Sequence, residues 1–95
     1  MRRLRTAVVG CGKVGRIHAD ALRSVPEAEF VAVCDNDTER ALVFAEQYGV
    51  LPFTDLGTLL KAAAPEVVIL CTPHPLHAEP AIQAAEAGVH VLVEK

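Results

Sequence analysis

The chain has 95 residues, of which 52% are hydrophobic and 22% charged, enough for one small domain with an apolar core. Its net charge of −3 provides no basic face to follow a phosphate backbone, so we expect no nucleic acid as a partner. No apolar stretch approaches the roughly 20 residues of a membrane span, so we expect no membrane association either.

The three cysteines are an odd number and contain no C-x-x-C pair, and the four histidines have no partners at metal-ligand spacing. This pattern argues against a disulfide framework or a metal site. Reduced thiols in the cytoplasm fit it better.

Short runs of aliphatic and β-branched residues alternate with Ala-rich segments along the chain. Four clear runs cover residues 6–9, 30–34, 67–71 and 89–93, and a weaker run covers residues 51–53. Runs that are almost entirely apolar are typical of strands covered on both faces. We therefore predict about five buried strands.

The intervening segments have the spacing of amphipathic helices. The first carries apolar residues at steps of three and four, at Val14, Ile17, Ala21, Leu22 and Val25. The second is predicted over about residues 38–48, begun by Asn36 or Asp37 and ended by Gly49. A short third helix, over about residues 55–63, contains Gly57. The fourth, ended by Gly88, has apolar residues at Ala78, Ala81, Ile82 and Ala85.

Alternating strands and helices imply right-handed crossovers and a parallel sheet. The predicted fold class is therefore α/β, with a doubly wound parallel sheet. Residues 1–95 are interpreted as one domain, without a second domain in the chain.

The first strand-to-helix turn matches the pattern G-x-G-x-x-G, with the sequence Gly10-Cys11-Gly12-Lys13-Val14-Gly15. The match carries weight because it directly follows a predicted strand and opens a predicted helix. Gly10 permits the tight turn, Gly12 lets a pyrophosphate approach the backbone, and Gly15 lets the helix pack against the strand. Free N–H groups and the positive dipole end from Lys13 to Gly15 favour an anion. We predict that these six residues contact a dinucleotide in a Rossmann-type fold, here ending before its sixth strand.

Asp35 ends the second predicted strand, 23 positions after Gly12. This is close to the ~20-residue spacing at which an acid accepts hydrogen bonds from the adenosine ribose. A carboxylate there would repel the 2′-phosphate of NADP, so NAD is the preferred cofactor, with Asn36 also in the predicted site. An acidic turn residue or helix cap is the simpler alternative for Asp35. Arg40 could reach a phosphate, which keeps NADP open as the less favoured cofactor.

The third clear strand is followed by the segment Cys71-Thr72-Pro73-His74-Pro75-Leu76-His77. Ligands of open α/β sheets bind beyond the carboxyl ends of strands, so we expect Thr72 and its neighbours near the nicotinamide-side ribose. His77 could equally cap the start of the next helix. Cys11, Cys34 and Cys71 all fall at or just beyond strand ends, where we interpret them as small packing residues beside the cofactor.

Glu94 and Lys95 follow the last predicted strand. A lysine in this place could orient a hydroxyl or shuttle a proton. From position alone, a surface lysine is the simpler interpretation.

Together these segments resemble the N-terminal domain of the Gfo/Idh/MocA oxidoreductases, over the whole chain. The matching pieces are G-C-G-x-V-G-x-x-H-A at residues 10–19, the acid Asp35, T-P-x-x-x-H at residues 72–77, and A-G-x-H-V-x-x-E-K at residues 87–95. The last piece is the most specific, since an ordinary dinucleotide fold has no need of it.

The resemblance implies that the domain binds NAD or NADP, and that a second α/β domain, absent from this chain, binds the substrate. It implies that Lys95 is the catalytic residue and that Glu94 lies near the nicotinamide. Thr72, Pro73 and His77 would belong to the cofactor loop. His74 stands where the family usually has Asn, so its role in that loop stays open.

The predicted function of the intact protein is hydride transfer between NAD and a hydroxyl-bearing carbon of a sugar, cyclitol or sugar derivative. Assembly as a homo-oligomer stays open. The alternative is a stand-alone, non-catalytic NAD(H)-binding or regulatory module. A methyltransferase or a CoA-binding domain would also suit Asp35, but the glycine spacing and the Glu94-Lys95 tail argue against both.

Overall fold

The computed structural model describes residues 3–72 and 78–94, in which strands and helices alternate as predicted. The strands are β1 (Leu4–Val9), β2 (Ala28–Cys34), β3 (Leu51–Phe53), β4 (Val67–Leu70) and β5 (His90–Val93). The helices are α1 (Lys13–Leu22), α2 (Thr38–Tyr48), α3 (Leu56–Ala62) and α4 (Ala78–Glu86). The longest of them, α2, has 11 residues, and none of the helices in the described ranges could span a membrane.

The five strands form one parallel sheet in the order β3-β2-β1-β4-β5. Val8 in the central strand β1 pairs with Val33 of β2 on one side and with Ile69 of β4 on the other. The chain builds one side of the sheet outward from β1 and then returns to build the other. This confirms the doubly wound α/β fold, and it places a switch in strand order between β1 and β4, where such folds bind ligands.

Helices cover both faces of the sheet, which explains why the strands are apolar on both sides. The core between one face and the helices α3 and α4 includes Ala7, Val9, Ala32, Leu59, Val68 and Leu70. The core between the other face and the helices α1 and α2 includes Val8, Ala19, Val33, Phe44 and Ala45. The largest fully buried side chain is that of Phe44, which anchors α2 to its face of the sheet.

The bounds of α2 agree with the prediction, and the structure decides which residue begins it. The Asp37 carboxylate accepts a hydrogen bond from the backbone N–H of Arg40 at 3.1 Å, so Asp37 and not Asn36 is the N-cap. Gly49 ends the helix in the left-handed conformation, with a φ of 69°. Asp55 caps α3 in the same way, through the backbone N–H of Thr58.

The apolar spacing of α1 predicted only part of its buried face, in which Leu22 is partly buried against the core. The residues that α1 buries are Gly15 and Ala19, whereas Ile17 is 61% exposed and Val14 is 38% exposed. The helix lies so close to the sheet that only small side chains fit between them, and the larger apolar residues are displaced to its flanks. The helix also ends at Leu22, before Val25, because Pro26 disfavours helical backbone at the residue before it.

At the amino ends of the strands, away from the glycine-rich turn, Arg5 holds the turn that follows α3. Its side-chain Nε donates to the carbonyl oxygen of Ala63 at 3.2 Å, and its backbone N–H donates to the Glu66 carboxylate at 3.1 Å. Ala64, within this turn, has a φ of 47°, in the left-handed region. An alanine pays a steric cost there that a glycine would not.

Candidate dinucleotide-binding site

Gly10 begins the turn between β1 and α1, with a φ of 102° that side-chain-bearing residues rarely adopt. Its backbone N–H donates to the carbonyl oxygen of Cys34 at 2.7 Å. A Cβ atom at Gly10 would lie 2.9 Å from the backbone carbon of Cys71. The turn therefore passes tightly between the ends of β2 and β4, as the motif requires.

Gly15 permits the close approach of α1 to this turn. A Cβ atom at Gly15 would lie only 2.0 Å from the carbonyl oxygen of Gly10, inside the contact distance of any pair of heavy atoms. The residue is buried in the first turn of the helix. Both outer glycines of the motif are therefore needed by the fold itself.

Gly12 differs from its two neighbours in the motif because the space beside it is open. A Cβ atom at Gly12 would meet no atom of the described structure within 4 Å. Gly12 is the N-cap of α1, and no side chain in the described ranges caps the helix there. Since the first turn of a helix leaves backbone N–H groups without acceptors, this open face suits an anion such as a pyrophosphate.

The Asp35 carboxylate joins the glycine-rich turn to the turn between β2 and α2. One oxygen, Oδ2, accepts a hydrogen bond from the backbone N–H of Cys11 at 2.9 Å. The other, Oδ1, accepts one from the backbone N–H of Asp37 at 2.9 Å. The side chain is only 9% exposed. Each carboxylate oxygen has two lone pairs, so capacity remains for the hydroxyls of a ribose.

Arg40 and Arg16 lie on the α2 side of the site. The Arg40 guanidinium is 3.8 Å from Asp35 Oδ2 and is 55% exposed. Both arginines line a groove of about 420 Å³ between α1 and α2, where Arg16 lies over the ring of Phe44 at 5.2 Å. Asn36, predicted to share the site, is exposed at the start of this turn. The Arg40 guanidinium is thus close enough for its positive charge to offset part of the negative charge of the Asp35 carboxylate.

All three cysteines lie in the described ranges and are free thiols near the carboxyl ends of the strands. Burial, assisted by the negative charge of Asp35, raises the pKa of the Cys11 thiol to about 12. Burial likewise raises the pKa of Cys34 and that of Cys71 to about 11. The thiols are therefore protonated near neutral pH and poor nucleophiles, which supports their interpretation as packing residues. No group of three metal-binding side chains occurs among the residues that the structure describes.

The carboxyl ends of β4 and β5 bring further predicted residues to the same edge of the sheet. The backbone N–H of Cys71 donates to the carbonyl oxygen of Val9 at 2.7 Å, which places Cys71 and the half-buried Thr72 beside the glycine-rich turn. Glu94 continues the ladder through its N–H, 3.0 Å from the carbonyl oxygen of Leu70. The other predicted residues of this region, Pro73, His74, His77 and Lys95, lie outside the described residues.

Glu94 makes a contact that the sequence did not lead us to expect. Its Oε2 lies 2.7 Å from Nε2 of His18, on α1, and both side chains are partly buried. His18 belongs to the matching piece at residues 10–19, but that match alone predicts no role for it in the site. The sequence feature that could have pointed to His18 is its position on α1, one helical turn after Gly15.

Comparison with known proteins agrees with this geometry. The family model described as an oxidoreductase family with an NAD-binding Rossmann fold matches residues 4–95. The D-glucoside 3-dehydrogenase of Escherichia coli K12 is 39% identical over 94 residues, which are 97% of this chain and 27% of the relative.

Solved structures give the same result. The WlbA dehydrogenase of Bordetella pertussis, in complex with NADH and UDP-GlcNAcA, superposes with a TM-score of 0.93 at 35% identity, covering 99% of this chain and 30% of that one. The scyllo-inositol dehydrogenase of Lactobacillus casei, with NAD(H) and scyllo-inositol, has a TM-score of 0.91 at 25% identity, covering 99% and 28%. This chain thus spans less than a third of the length of each of these proteins, at their dinucleotide-binding part. The chain belongs to the Gfo/Idh/MocA family of oxidoreductases, as its NAD-binding Rossmann domain.

Proposed function

We propose that the protein carrying this domain transfers a hydride between NAD and a hydroxyl-bearing carbon of a sugar, cyclitol or sugar derivative. The observation that carries the proposal is the open face at Gly12, flanked by the Asp35 carboxylate on one side and the end of β5 on the other. The relatives support the substrate class, because a glucoside, a nucleotide sugar and a cyclitol all present ring carbons bearing hydroxyl groups.

The roles of the binding residues follow from their places. Backbone N–H groups from Lys13 to Gly15 would bind the pyrophosphate, with Gly12 leaving room for it. Asp35 would accept hydrogen bonds from the hydroxyls of the adenosine ribose. Thr72, at the end of β4, would line the other half of the cleft, together with Pro73, His74 and His77. When bound, the nicotinamide supplies the hydride acceptor or donor.

Lys95 is the proposed catalytic residue, acting on the proton of the substrate hydroxyl. It directly follows Glu94, whose backbone is held at the carboxyl end of β5 by its hydrogen bond to Leu70. Glu94, the residue before Lys95, therefore lies at the carboxyl ends of the strands, where ligands of this fold bind. The hydride leaves the carbon that carries the hydroxyl group. A group that takes the hydroxyl proton at the same time lowers the positive charge that would otherwise build up on that carbon and its oxygen.

We also propose that NAD is preferred over NADP. Asp35 would repel a 2′-phosphate. Arg40, 3.8 Å from Asp35 Oδ2 and 55% exposed, keeps NADP as the less favoured cofactor. We further propose that the substrate binds to a part of the protein that this chain, at 27% of the length of the glucoside dehydrogenase, does not cover. A cytoplasmic location would suit the three free thiols. Assembly as a homo-oligomer is the last part of this proposal.

The test uses the purified natural protein, incubated with NAD and a panel of glucosides, cyclitols and nucleotide sugars. Formation of NADH with one member of the panel is the expected result. Lys95→Met should retain NADH binding while losing turnover, because methionine keeps most of the side-chain volume but cannot accept a proton. Full turnover by Lys95→Met would contradict the catalytic role, and saturable NADH binding without turnover of any panel member would favour a non-catalytic module.

A further inference from the structure

The contact between His18 and Glu94 joins α1 to the end of β5, two elements that otherwise touch each other little. β5 is an edge strand, and it pairs in the described sheet only with β4. Two of its four residues, Leu92 and Val93, are 52% and 40% exposed. The 2.7 Å contact between His18 Nε2 and Glu94 Oε2 ties the end of this strand to the helix that follows the glycine-rich turn.

The geometry is that of a hydrogen bond. A carboxylate oxygen accepts it, so the contact requires the tautomer of His18 in which Nε2 carries a proton. Hydrogen bonds to an ionised carboxylate are shorter and stronger than those between neutral groups. Fully exposed ion pairs usually contribute little, and this pair is only partly exposed, with 24% of the His18 side chain and 40% of the Glu94 side chain accessible.

The pair lies on one particular half of the site. In this fold a dinucleotide crosses the switch in strand order, with one mononucleotide on each side. Asp35 directly follows β2, which places the adenosine half over β2 and β3. The nicotinamide half then belongs over β4 and β5, where Glu94 lies.

We propose that His18 is a positioning residue for the nicotinamide half of the cleft, acting through Glu94. By holding the Glu94 carboxylate against α1, it fixes the carboxyl end of β5 relative to the glycine-rich turn that binds the pyrophosphate. In this way the contact would set the distance between the glycine-rich turn, which would bind the pyrophosphate, and the end of β5, beside which the nicotinamide would lie. The inference rests on the proposed cofactor site, and it assigns to Glu94 a structural partner on α1.

The test replaces His18 in the 95-residue chain with either glutamine or asparagine, two amide side chains of different length. Glutamine places its amide nitrogen where Nε2 of His18 lies, whereas asparagine is too short to reach Glu94. His18→Gln should therefore preserve the contact, and His18→Asn should lose it. The probes are NADH and ADP-ribose, which lacks the nicotinamide and so reports the adenosine half and the pyrophosphate alone.

We expect His18→Asn to weaken NADH binding about fivefold and ADP-ribose binding less than about twofold, with His18→Gln close to the wild type for both. Glu94→Leu should act as His18→Asn does, and the double variant should be no worse than either single one, because both remove the same contact. Asp20→Ala is the matched control, since it removes another hydrogen bond of α1, to the Tyr48 hydroxyl at 2.6 Å, on the adenosine side. It should leave the ratio of the two affinities unchanged.

Equal weakening of NADH and ADP-ribose by His18→Asn would overturn the inference, because a general loss of structure would then explain the effect. Unchanged binding of both would overturn it as well. If the wild-type chain binds both probes, and His18→Gln and His18→Asn bind NADH with the same affinity, the positioning role alone is refuted. A wild-type chain that binds neither probe contradicts the proposed site itself, and this inference falls with it.

Discussion

The Asp35 carboxylate accepts a hydrogen bond from the backbone N–H of Cys11 at 2.9 Å, so the residue directly after β2 holds the middle of the glycine-rich turn. The two parts of the candidate site are therefore one hydrogen-bonded unit before any ligand arrives. Its second acceptor, Oδ1, holds the start of α2 through Asp37. A change at Asp35 should consequently alter both the stability of the domain and its choice of cofactor.

Replacing Asp35 with alanine removes two charge-assisted hydrogen bonds and leaves the partly buried N–H of Cys11 without this acceptor. We expect a loss of about 2 kcal/mol in the free energy of unfolding, measured by urea denaturation. We also expect NADH to lose its advantage over NADPH in direct titrations. Asp37→Ala is the control, since it should cost about 1 kcal/mol as a lost helix cap without changing cofactor preference. An Asp35→Ala variant that still prefers NADH would show that the carboxylate does not select the cofactor.

The three glycines of the motif should respond differently to alanine, as followed by circular dichroism and urea denaturation. Gly10→Ala meets backbone atoms of Cys71 and Thr72 within 3.0 Å, and Gly15→Ala meets the Gly10 carbonyl oxygen at 2.0 Å. Both should destabilise the fold by several kcal/mol, of the order of 3 or more. Gly12→Ala meets nothing within 4 Å and should fold like the wild type. Equal stability of all three variants would contradict the tight packing around Gly10 and Gly15.

The cysteines predict a loss of stability in alkali. Folding raises the pKa of Cys11 from 9.0 to about 12, and those of Cys34 and Cys71 from 9.0 to about 11. Above pH 9 the unfolded chain releases thiol protons that the folded chain retains, so the free energy of unfolding must fall as the pH rises. The contribution is fully present below pH 9 and is lost progressively between pH 9 and pH 12.

Cys11→Ala should flatten this alkaline decline, measured by urea denaturation across the pH range. The native chain should also react slowly with iodoacetamide at pH 8, while the urea-unfolded chain reacts readily, because the buried thiols are protonated. Rapid alkylation of Cys11 in the folded chain would be incompatible with its burial.

Ala64 offers a gain in stability that lies away from the site. Its φ of 47° costs an alanine about 1–2 kcal/mol, part of which glycine loses again through the greater freedom of the unfolded chain. Ala64→Gly should therefore raise the free energy of unfolding by up to about 1 kcal/mol. Ala62→Gly, at the last residue of α3, should lower it by about 0.5–1 kcal/mol. If both substitutions lowered stability equally, the left-handed conformation of Ala64 would be in error.

The fold was largely predictable because local patterns carry it. The apolar runs located all five strands, although β1 and β2 begin two residues earlier than expected. The buried face of α1 was not predictable from apolar spacing, because the motif brings the helix so close that Gly15 and Ala19 replace larger side chains. Spacing placed Asp35 in the predicted site, but it did not predict the hydrogen bond of Asp35 to the Cys11 backbone. The partnership of His18 with Glu94 depends on bringing together residues 76 positions apart, which no local pattern encodes.

The most direct test of the central claim is a titration of the 95-residue chain with NADH, for the wild type beside Gly12→Ala. The chain contains no tryptophan, so the emission of NADH itself reports binding without overlap from that residue. We expect saturable binding by the wild type and at least roughly tenfold weaker binding by Gly12→Ala, because the added methyl group occupies the space of the pyrophosphate. Both chains should unfold at the same urea concentration. Equal affinity of the two chains for NADH would contradict the placement of the dinucleotide at this turn.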